Sequence, residues 1–311
     1  MWGLFVLSIQ STFKIDKEGF WYPEVEMDTC IDCHLCEKVC PLLNKEEYKN
    51  IDGYVKPKTY ALVHKNIEVR FDSTSGGAFT ALAEEVYKQG GFVGGAIYNE
   101  DWSVSQFLSS SKNDLPKLRS SKYLQSHFDG FYKSVKEALK TEKPVLVCGS
   151  PCQMAAMFRY LKKPYENLII VDYICRGIAS PMYFRKWINY LENKHNSKVI
   201  FYKAKSKELG WRKLSTRIEY ANGEADVIAG HDNPWLMMQY KVPEICRPSC
   251  FECSFKGFPR TSDITSGGFM GQKKVLYRQN LDGEFGHIDL FLTNNDKRRS
   301  LFCLVVLRKW N

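Results

Sequence analysis

Along most of this chain, apolar residues follow two alternating spacings. Compact apolar runs with no polar face include "TYALVH" from Thr59, "GFVGGAIY" from Gly91, "PVLVCG" from Pro144 and "NLIIVDYIC" from Asn167. Between them lie longer stretches whose apolar positions recur every three or four residues. These are "AFTALAEEVYKQG" from Ala78, "FYKSVKEALK" from Phe131, "QMAAMFRYLKK" from Gln153 and "PMYFRKWINYLENK" from Pro181. The runs predict buried strands, and the longer stretches predict amphipathic helices, the first of them closed by Gly90. Strands without a polar face need cover on both sides. The pattern therefore predicts an α/β fold, a mixed and mostly parallel sheet with flanking helices.

Outside this block the pattern changes. Residues 20–57 are loop-rich, with Pro23, Pro41 and Pro57 and four cysteines, which predicts a small metal-dependent module. Residues 197–228 read as meandering strands, a cysteine-rich segment runs from Cys246 to Cys253, and the last 40 residues have no legible period.

A chain of 311 residues can bury a sizeable core in one large domain or two smaller ones. Its net charge of +9 is scattered, and the densest stretch, "YKAKSKELGWRK" from Tyr202, mixes in Glu208 and aromatic residues. That stretch reads as a solvated face or strand pair in preference to a site for an acidic ligand. No nucleic-acid-binding motif accompanies the charge, so nucleic acid is not expected as a partner. The N-terminal "MWGLFVLSI" is too short to span a bilayer and has no basic region before it, and no later stretch reaches membrane-spanning length. Eleven cysteines, an odd number gathered in clusters, predict a reducing cytoplasm and metal sites in place of a disulfide framework.

The densest cluster is "CIDCHLCEKVCP", residues 30–41, and it can be parsed three ways. Cys30 to His34 has the spelling of a c-type haem site, but that attachment normally follows export, which nothing here signals. Zinc sites usually set two Cys-x-x-Cys pairs far apart so that a tetrahedron can close. Cys30, Cys33, Cys36 and Cys40, spaced by two, two and three residues before Pro41, favour a ferredoxin-type [4Fe–4S] cluster. His34 is then an exposed spacer. In a two-cluster ferredoxin the fourth cysteine of a run ligates the other cluster. With one run present, Cys40 folds back, a distant cysteine completes the site, or the chain lacks its true beginning.

"VLVCGSPCQMAAM" ends a strand at Cys148-Gly149 and begins a helix at once. Ser150 is a good N-cap, Pro151 suits the first turn, and Gln153 completes a capping box. Cys152 falls in that turn, where the helix dipole favours thiolate. "DYICRGIASP" repeats the design, with a strand expected to end at Cys175. Neighbouring parallel strands would put Cys152 and Cys175 at one carboxyl edge. "RPSCFECSF" adds Cys250 and Cys253, so four thiolates from three loops could close a second cubane or a zinc site. Cys148, Cys246 and Cys303 read as buried spares. In "STSGGAFTAL", Ser75, Gly76 and Gly77 open a helix where backbone N–H groups could approach a phosphate. "SSKYLQS" adds Ser121, Lys122, Tyr123 and Gln125 in a polar loop.

Taken in order, "SGGAFTALAEEVYKQGGFVGGAIY", "SKYLQS", "GSPCQ", "DYIC-x-G", "RPSCFEC" and "SDIT" resemble the coenzyme F420 hydrogenase/dehydrogenase β-subunit family, in its bacterial form with a ferredoxin domain in front. The resemblance covers roughly residues 15–271. It implies FAD beside [4Fe–4S] clusters, passing electrons between a ferredoxin-like carrier and a two-electron acceptor. It implies that Ser75, Gly76, Gly77 and Thr80, with Ser121, Lys122, Tyr123 and Gln125, lie near the flavin. Cys152, Cys175, Cys250 and Cys253 match the family's cysteine positions. The chain also departs from the family. Arg176 stands where histidine is usual, and Gly268 and Met270 stand where an acidic residue and tryptophan are usual. "KIDKEGFWYPEV" resembles the linker between two ferredoxin runs, and the tail from Gln272 is short and dissimilar, so both ends are expected to be incomplete.

Four segments follow: 1–57 as a half-ferredoxin iron–sulfur module with its linker, 58–240 as the α/β flavin and substrate domain, 241–271 as a cluster-binding segment, and 272–311 as a divergent tail. The expected function is a cytoplasmic iron–sulfur flavoprotein oxidoreductase with an unidentified small-molecule acceptor and room for a hetero-complex; no residue is assigned as catalytic. A non-catalytic electron-transfer or assembly subunit, and a zinc-stabilised binding protein, are the alternatives.

Overall fold

The computed structural model describes residues 11–48, 58–210, 213–257, 260–269, 288–290 and 302–307. The "MWGLFVLSI" segment, Pro57, Trp211, Arg212, Met270, the side chain of Cys303 and the tail from Gln272, save two short strands, lie outside the described residues.

The chain opens with an antiparallel hairpin, β1 (Ser11–Ile15) and β2 (Trp21–Val25). Asp16 holds its turn, accepting from the N–H groups of Glu18 and Phe20 at 2.9 Å each. The cysteine run follows, with a short helix α1 (Leu35–Val39). The alternating block then gives β3 (Lys58–His64), α2 (Ile67–Asp72), α3 (Ala78–Lys88), β4 (Phe92–Tyr98), β5 (Val104–Ser109), α4 (Leu115–Leu118), β6 (Ser126–His127) and α5 (Phe131–Leu139). It continues through β7 (Val145–Gly149), α6 (Pro151–Leu161), β8 (Leu168–Tyr173) and α7 (Pro181–His195). A meander of β9 (Val199–Ser206), β10 (Ser215–Tyr220) and β11 (Ala225–Ala229) precedes α8 (Pro234–Lys241). The last strands are β12 (Ile264–Phe269), β13 (Ile288–Leu290) and β14 (Phe302–Leu307).

The main sheet has the order β13-β3-β14-β12-β8-β7-β4-β5-β6. Its centre, β12-β8-β7-β4, is parallel throughout, and antiparallel pairs flank it at β12–β14 and β4–β5. The fold is thus the mixed α/β arrangement with flanking helices that the periodicity predicts. The missing polar face has a simple cause. Val145 and Val147 point into a core with Tyr132, Val135, Met154 and Met157 of α5 and α6. Leu146, between them, points into the opposite core with Ala83 and Val86 of α3 and Leu118 of α4. Met154 and Met157 are fully buried, and each contributes roughly 1.5–3 kcal/mol by leaving water.

A third core joins the three-stranded sheet β11-β10-β9 to α7. Phe184, Ile188 and Leu191, one helical stripe, pack on Tyr202, Ala204, Ile218 and Trp235. One boundary differs from the sequence expectation: β8 ends at Tyr173, so Cys175 lies two residues beyond it in a loop. No helix among the described residues is long and apolar enough to cross a membrane.

Candidate functional site

Strands β7 and β8 pair in parallel, with Cys148 beside Val171 and Gly149 beside Asp172, so both strands leave the sheet at one edge. After β7 the chain turns directly into α6. Gln153 Oε1 accepts from the Ser150 N–H at 2.8 Å, and the capping box is complete. Cys152 sits in that first turn with its Sγ 3.2 Å from Ser150 Oγ. After β8, the Cys175 thiol points at the Gly177 carbonyl, 3.9 Å away.

The third segment lies across that loop. Arg247 N–H donates to Ile178 O at 2.9 Å, and Cys246 bridges Ala179. A side-chain carbon on Gly177 would stand 3.0 Å from Cys246 Sγ and 3.6 Å from Cys250 Cβ. Glycine there is what lets the two loops close. Lys256 Nζ donates to Cys250 O at 2.7 Å, and Arg260 reaches Lys256 O at 3.0 Å while pairing with Asp172 of β8 at 3.0 Å. The cysteine-rich segment is therefore fastened to the strand that presents Cys175.

These contacts bring Cys152, Cys175, Cys250 and Cys253 together. Cys175 lies within electrostatic reach of the other three, and Cys152 within reach of Cys250 and Cys253. Burial pushes the Cys175 thiol up to about 12, with Cys152 adding to the effect. Burial also raises Cys152, outweighing the lowering hydrogen bond from Ser150. Loss of water thus acts against the helix end, which favours thiolate at Cys152. Among the described residues, no three His, Cys, Asp or Glu side chains are grouped tightly enough to hold a single metal ion. A cubane asks for a wider set, because each thiolate binds a different iron.

The N-terminal run is more open. Cys33 is exposed, Cys30 and Cys36 are half-buried, and Cys40 is buried. His34 is exposed and pairs with Glu37 at 3.0 Å. Helix α1 packs on α6, and Arg159 Nε donates to Lys38 O at 2.7 Å. Leu42, just past the run, packs against Ala155 and Phe255, as do Cys152 and Cys253. The end of the first cysteine group thus adjoins the second.

A group of basic side chains gathers around the loop that precedes α3. Gly77 begins α3 at φ +87°, and a Cβ there would meet His64 Cβ at 2.9 Å, so the turn requires glycine. Lys207 Nζ donates to Ser75 O at 2.9 Å and to Arg70 O, and Gly76 O accepts from the His64 N–H at 2.7 Å. Arg119 reaches Thr80 Oγ1 at 3.2 Å and pairs with Asp72, which also takes Lys203 at 2.7 Å. Burial would raise Asp72, but the hydrogen bonds from Lys203 and Arg119 hold its carboxyl below the ordinary value. Ser121 N–H donates to Thr74 Oγ1 at 3.0 Å, and Lys122 Nζ donates to the carbonyls of Lys117, Arg119 and Ser120. Lys205 lies 4.9 Å over the Tyr123 ring. Burial pushes Lys122 and Lys207 down to about 7, against the pull of the Asp72 carboxylate.

Gln125 stands apart from this group. It is fully buried, and its amide accepts from Trp21 N–H and donates to Trp21 O, both at 2.9 Å. With Trp21 stacked 3.5 Å from His127, it braces the hairpin. Two features escape the sequence pattern. "YKAKSKELGWRK" does begin in a strand pair, β9 with β10, but Lys203 and Lys207 are 9% and 6% exposed, so that pair does not present them as a solvated face. The usable signal is their alternation with the small residues Ala204 and Ser206. Cys246, expected as a spare, lies against Gly177 and Cys250.

A family model for the C-terminal part of the beta subunit of coenzyme F420 hydrogenase/dehydrogenase matches residues 142–308, more than half of the chain. Among solved structures, a chain in a xenon-derivatized F420-reducing [NiFe] hydrogenase complex from Methanosarcina barkeri is similar at 16% identity, over 84% of this chain and 78% of that one, with a TM-score of 0.47. No curated protein matches the chain.

Proposed function

The chain belongs to the coenzyme F420 hydrogenase/dehydrogenase β-subunit family, and from that premise we propose that it is an iron–sulfur flavoprotein oxidoreductase, passing electrons between a ferredoxin-like carrier and a small-molecule acceptor. The carrying observation is the meeting of Cys152, Cys175, Cys250 and Cys253 at the sheet edge. A donor set made of sulfur alone fits an iron–sulfur cluster. Arg119 and Lys203 pair with Asp72, Lys122 and Lys207 lie within its electrostatic reach, and Lys205 stands over Tyr123. That cationic surplus at a glycine-opened helix start fits the pyrophosphate of a dinucleotide such as FAD.

When bound, the cluster supplies one-electron transfer and the flavin links it to two-electron chemistry. The chain's own part is positioning. The capping box fixes Cys152, the Gly177 carbonyl orients Cys175, and Lys256 and Arg260 hold the Cys250–Cys253 loop. Ser75, Gly76, Gly77, Thr80, Ser121, Lys122 and Tyr123 would line the flavin side, with the lysines of β9 neutralising phosphate charge. Cys30, Cys33, Cys36 and Cys40 would hold a second cluster. The packing of Leu42, Cys152 and Cys253 against the same pair, Ala155 and Phe255, supports the adjacency that a relay needs.

The test is anaerobic purification followed by iron, sulfide, zinc and flavin assays and a visible spectrum before and after dithionite. Iron with sulfide, a spectrum that bleaches on reduction, and bound FAD are expected; colourless protein carrying zinc refutes the proposal. A second reading, an electron-transfer or assembly subunit without a substrate of its own, is favoured by Arg176. Its exposed guanidinium lies 5.2 Å over Tyr240 and offers no ready proton to an acceptor. Under that reading the flavin is reduced by a low-potential donor, yet no small molecule is turned over without a partner protein.

A further inference from the structure

The sulfur pocket holds one thiol more than a cubane can use. Cys246 enters on the strand-like segment that bridges Ala179, with Ile245 O accepting from the Ser180 N–H at 3.3 Å and Ile178 O accepting from the Arg247 N–H at 2.9 Å. These backbone bonds fix its position. Its Sγ and the Cys250 Cβ lie within 3.0 Å and 3.6 Å of the same point, the missing side chain of Gly177. Gly177 is also the residue whose carbonyl faces the Cys175 thiol at 3.9 Å. Cys246 and Cys250 therefore stand side by side across one glycine from a ligand of the proposed cluster.

We propose that Cys246 is a reserve ligand for this cluster, able to occupy the coordination position of Cys250. The inference rests on the iron–sulfur reading above. Exchange replaces one iron–sulfur bond by another. The proton leaving Cys246 is balanced by the proton that Cys250 takes up, and no electron is transferred. Cys175 has no such neighbour on its own loop: Ile174 and Arg176 flank it. The redundancy is thus local to the Cys250 corner.

The experiment uses the full chain with Cys30, Cys33 and Cys36 changed to Ser, so that iron reports on this pocket. In that parent, Cys246→Ala, Cys250→Ala, Cys250→Ser, Cys175→Ala and the Cys246→Ala/Cys250→Ala pair are reconstituted anaerobically. Iron and sulfide per chain are measured, electron paramagnetic resonance spectra are recorded after dithionite, and circular dichroism monitors the fold. The expected result is a full iron complement in Cys246→Ala and Cys250→Ala, and background iron in Cys175→Ala and the double variant. The spectrum of Cys250→Ala should differ from the parent's and coincide with that of Cys250→Ser, since both would carry Cys246. Background iron in both Cys250 variants, or retained iron in the double variant, overturns the reserve role while leaving the cluster reading intact. Iron absent from the parent itself overturns both.

Discussion

Replacing Arg260 by Met isolates a buried charge beside the site. Asp172 and Arg260 are 1% and 6% exposed, and they pair at 3.0 Å. Burial raises the Asp172 carboxyl, and Arg260 is the main opposing influence, followed by the hydroxyls of Thr265 and Ser262. Removing one partner of such a pair leaves a charge with no counterpart, at about 3–5 kcal/mol. For a domain of this class that corresponds to a fall in melting temperature of roughly 6–20 °C. The sign of the pH dependence also follows. With a folded-state pKa above its unfolded value, Asp172 binds more protons when folded, so stability falls as pH rises through that window. The Arg260→Met deficit must therefore shrink on acidification, when the bare carboxyl can take up a proton. Adding Asp172→Asn must recover most of it at neutral pH. Thermal melts of the metal-free single and double variants at two pH values measure both effects. A deficit below about 1 kcal/mol, or one that Asp172→Asn does not relieve, refutes the argument that the unpaired charge dominates.

Four other outcomes follow from the site. Lys122 and Lys207, pushed down to about 7, carry charge below that value and lose it above. FAD binding, read by flavin fluorescence, should therefore weaken as pH rises through about 7, while riboflavin, which has no pyrophosphate, should show no such trend. The same depressed values mean that the unfolded chain binds more protons at these two lysines between about 7 and 10.5, so the stability difference between the protein and its Lys122→Met/Lys207→Met variant should shift in the protein's favour as pH rises through that window. Ser150→Ala removes the helix cap before Cys152 and should cost about 1 kcal/mol in a thermal melt. Gly77→Ala, forced to φ +87° with its Cβ 2.9 Å from His64 Cβ, should cost at least about 1 kcal/mol and weaken FAD binding in the same titration; unchanged binding would remove that turn from the flavin site.

The central strands are legible because their environment is uniform. A run such as Val145–Val147 meets a helix layer on either side, and a two-faced core leaves no polar positions to blur the pattern. Ser150 and Gln153 are equally plain, since a capping box is local chemistry with fixed spacing. What local spacing cannot reveal is partnership across the chain. The tail's β14 inserts between β3 and β12, and its register depends on strands far away in sequence. Gln125 has the look of a polar loop residue until Trp21, 104 positions earlier, takes both of its amide groups.

The lysines of β9 show the same gap in its sharpest form. Alternation alone puts Lys203 and Lys205, with Lys207 just beyond the strand, on one face, and Tyr202, Ala204 and Ser206 on the other. The second face meets the α7 core, and a strand with one face buried leaves the other to water by default. Instead the loop from Asp72 to Ser75 faces it, and it supplies a carboxylate to Lys203 and a carbonyl oxygen to Lys207. Charges that would solvate freely on an open strand are thereby held half-satisfied: one carboxylate is set against Lys203 and Arg119 together. Carbonyl dipoles orient an ammonium group without cancelling its charge. A buried surplus of that kind is costly to the empty protein and is relieved when an anion enters. The strand that looks least like part of a site is the one that carries the lysines of the proposed flavin side.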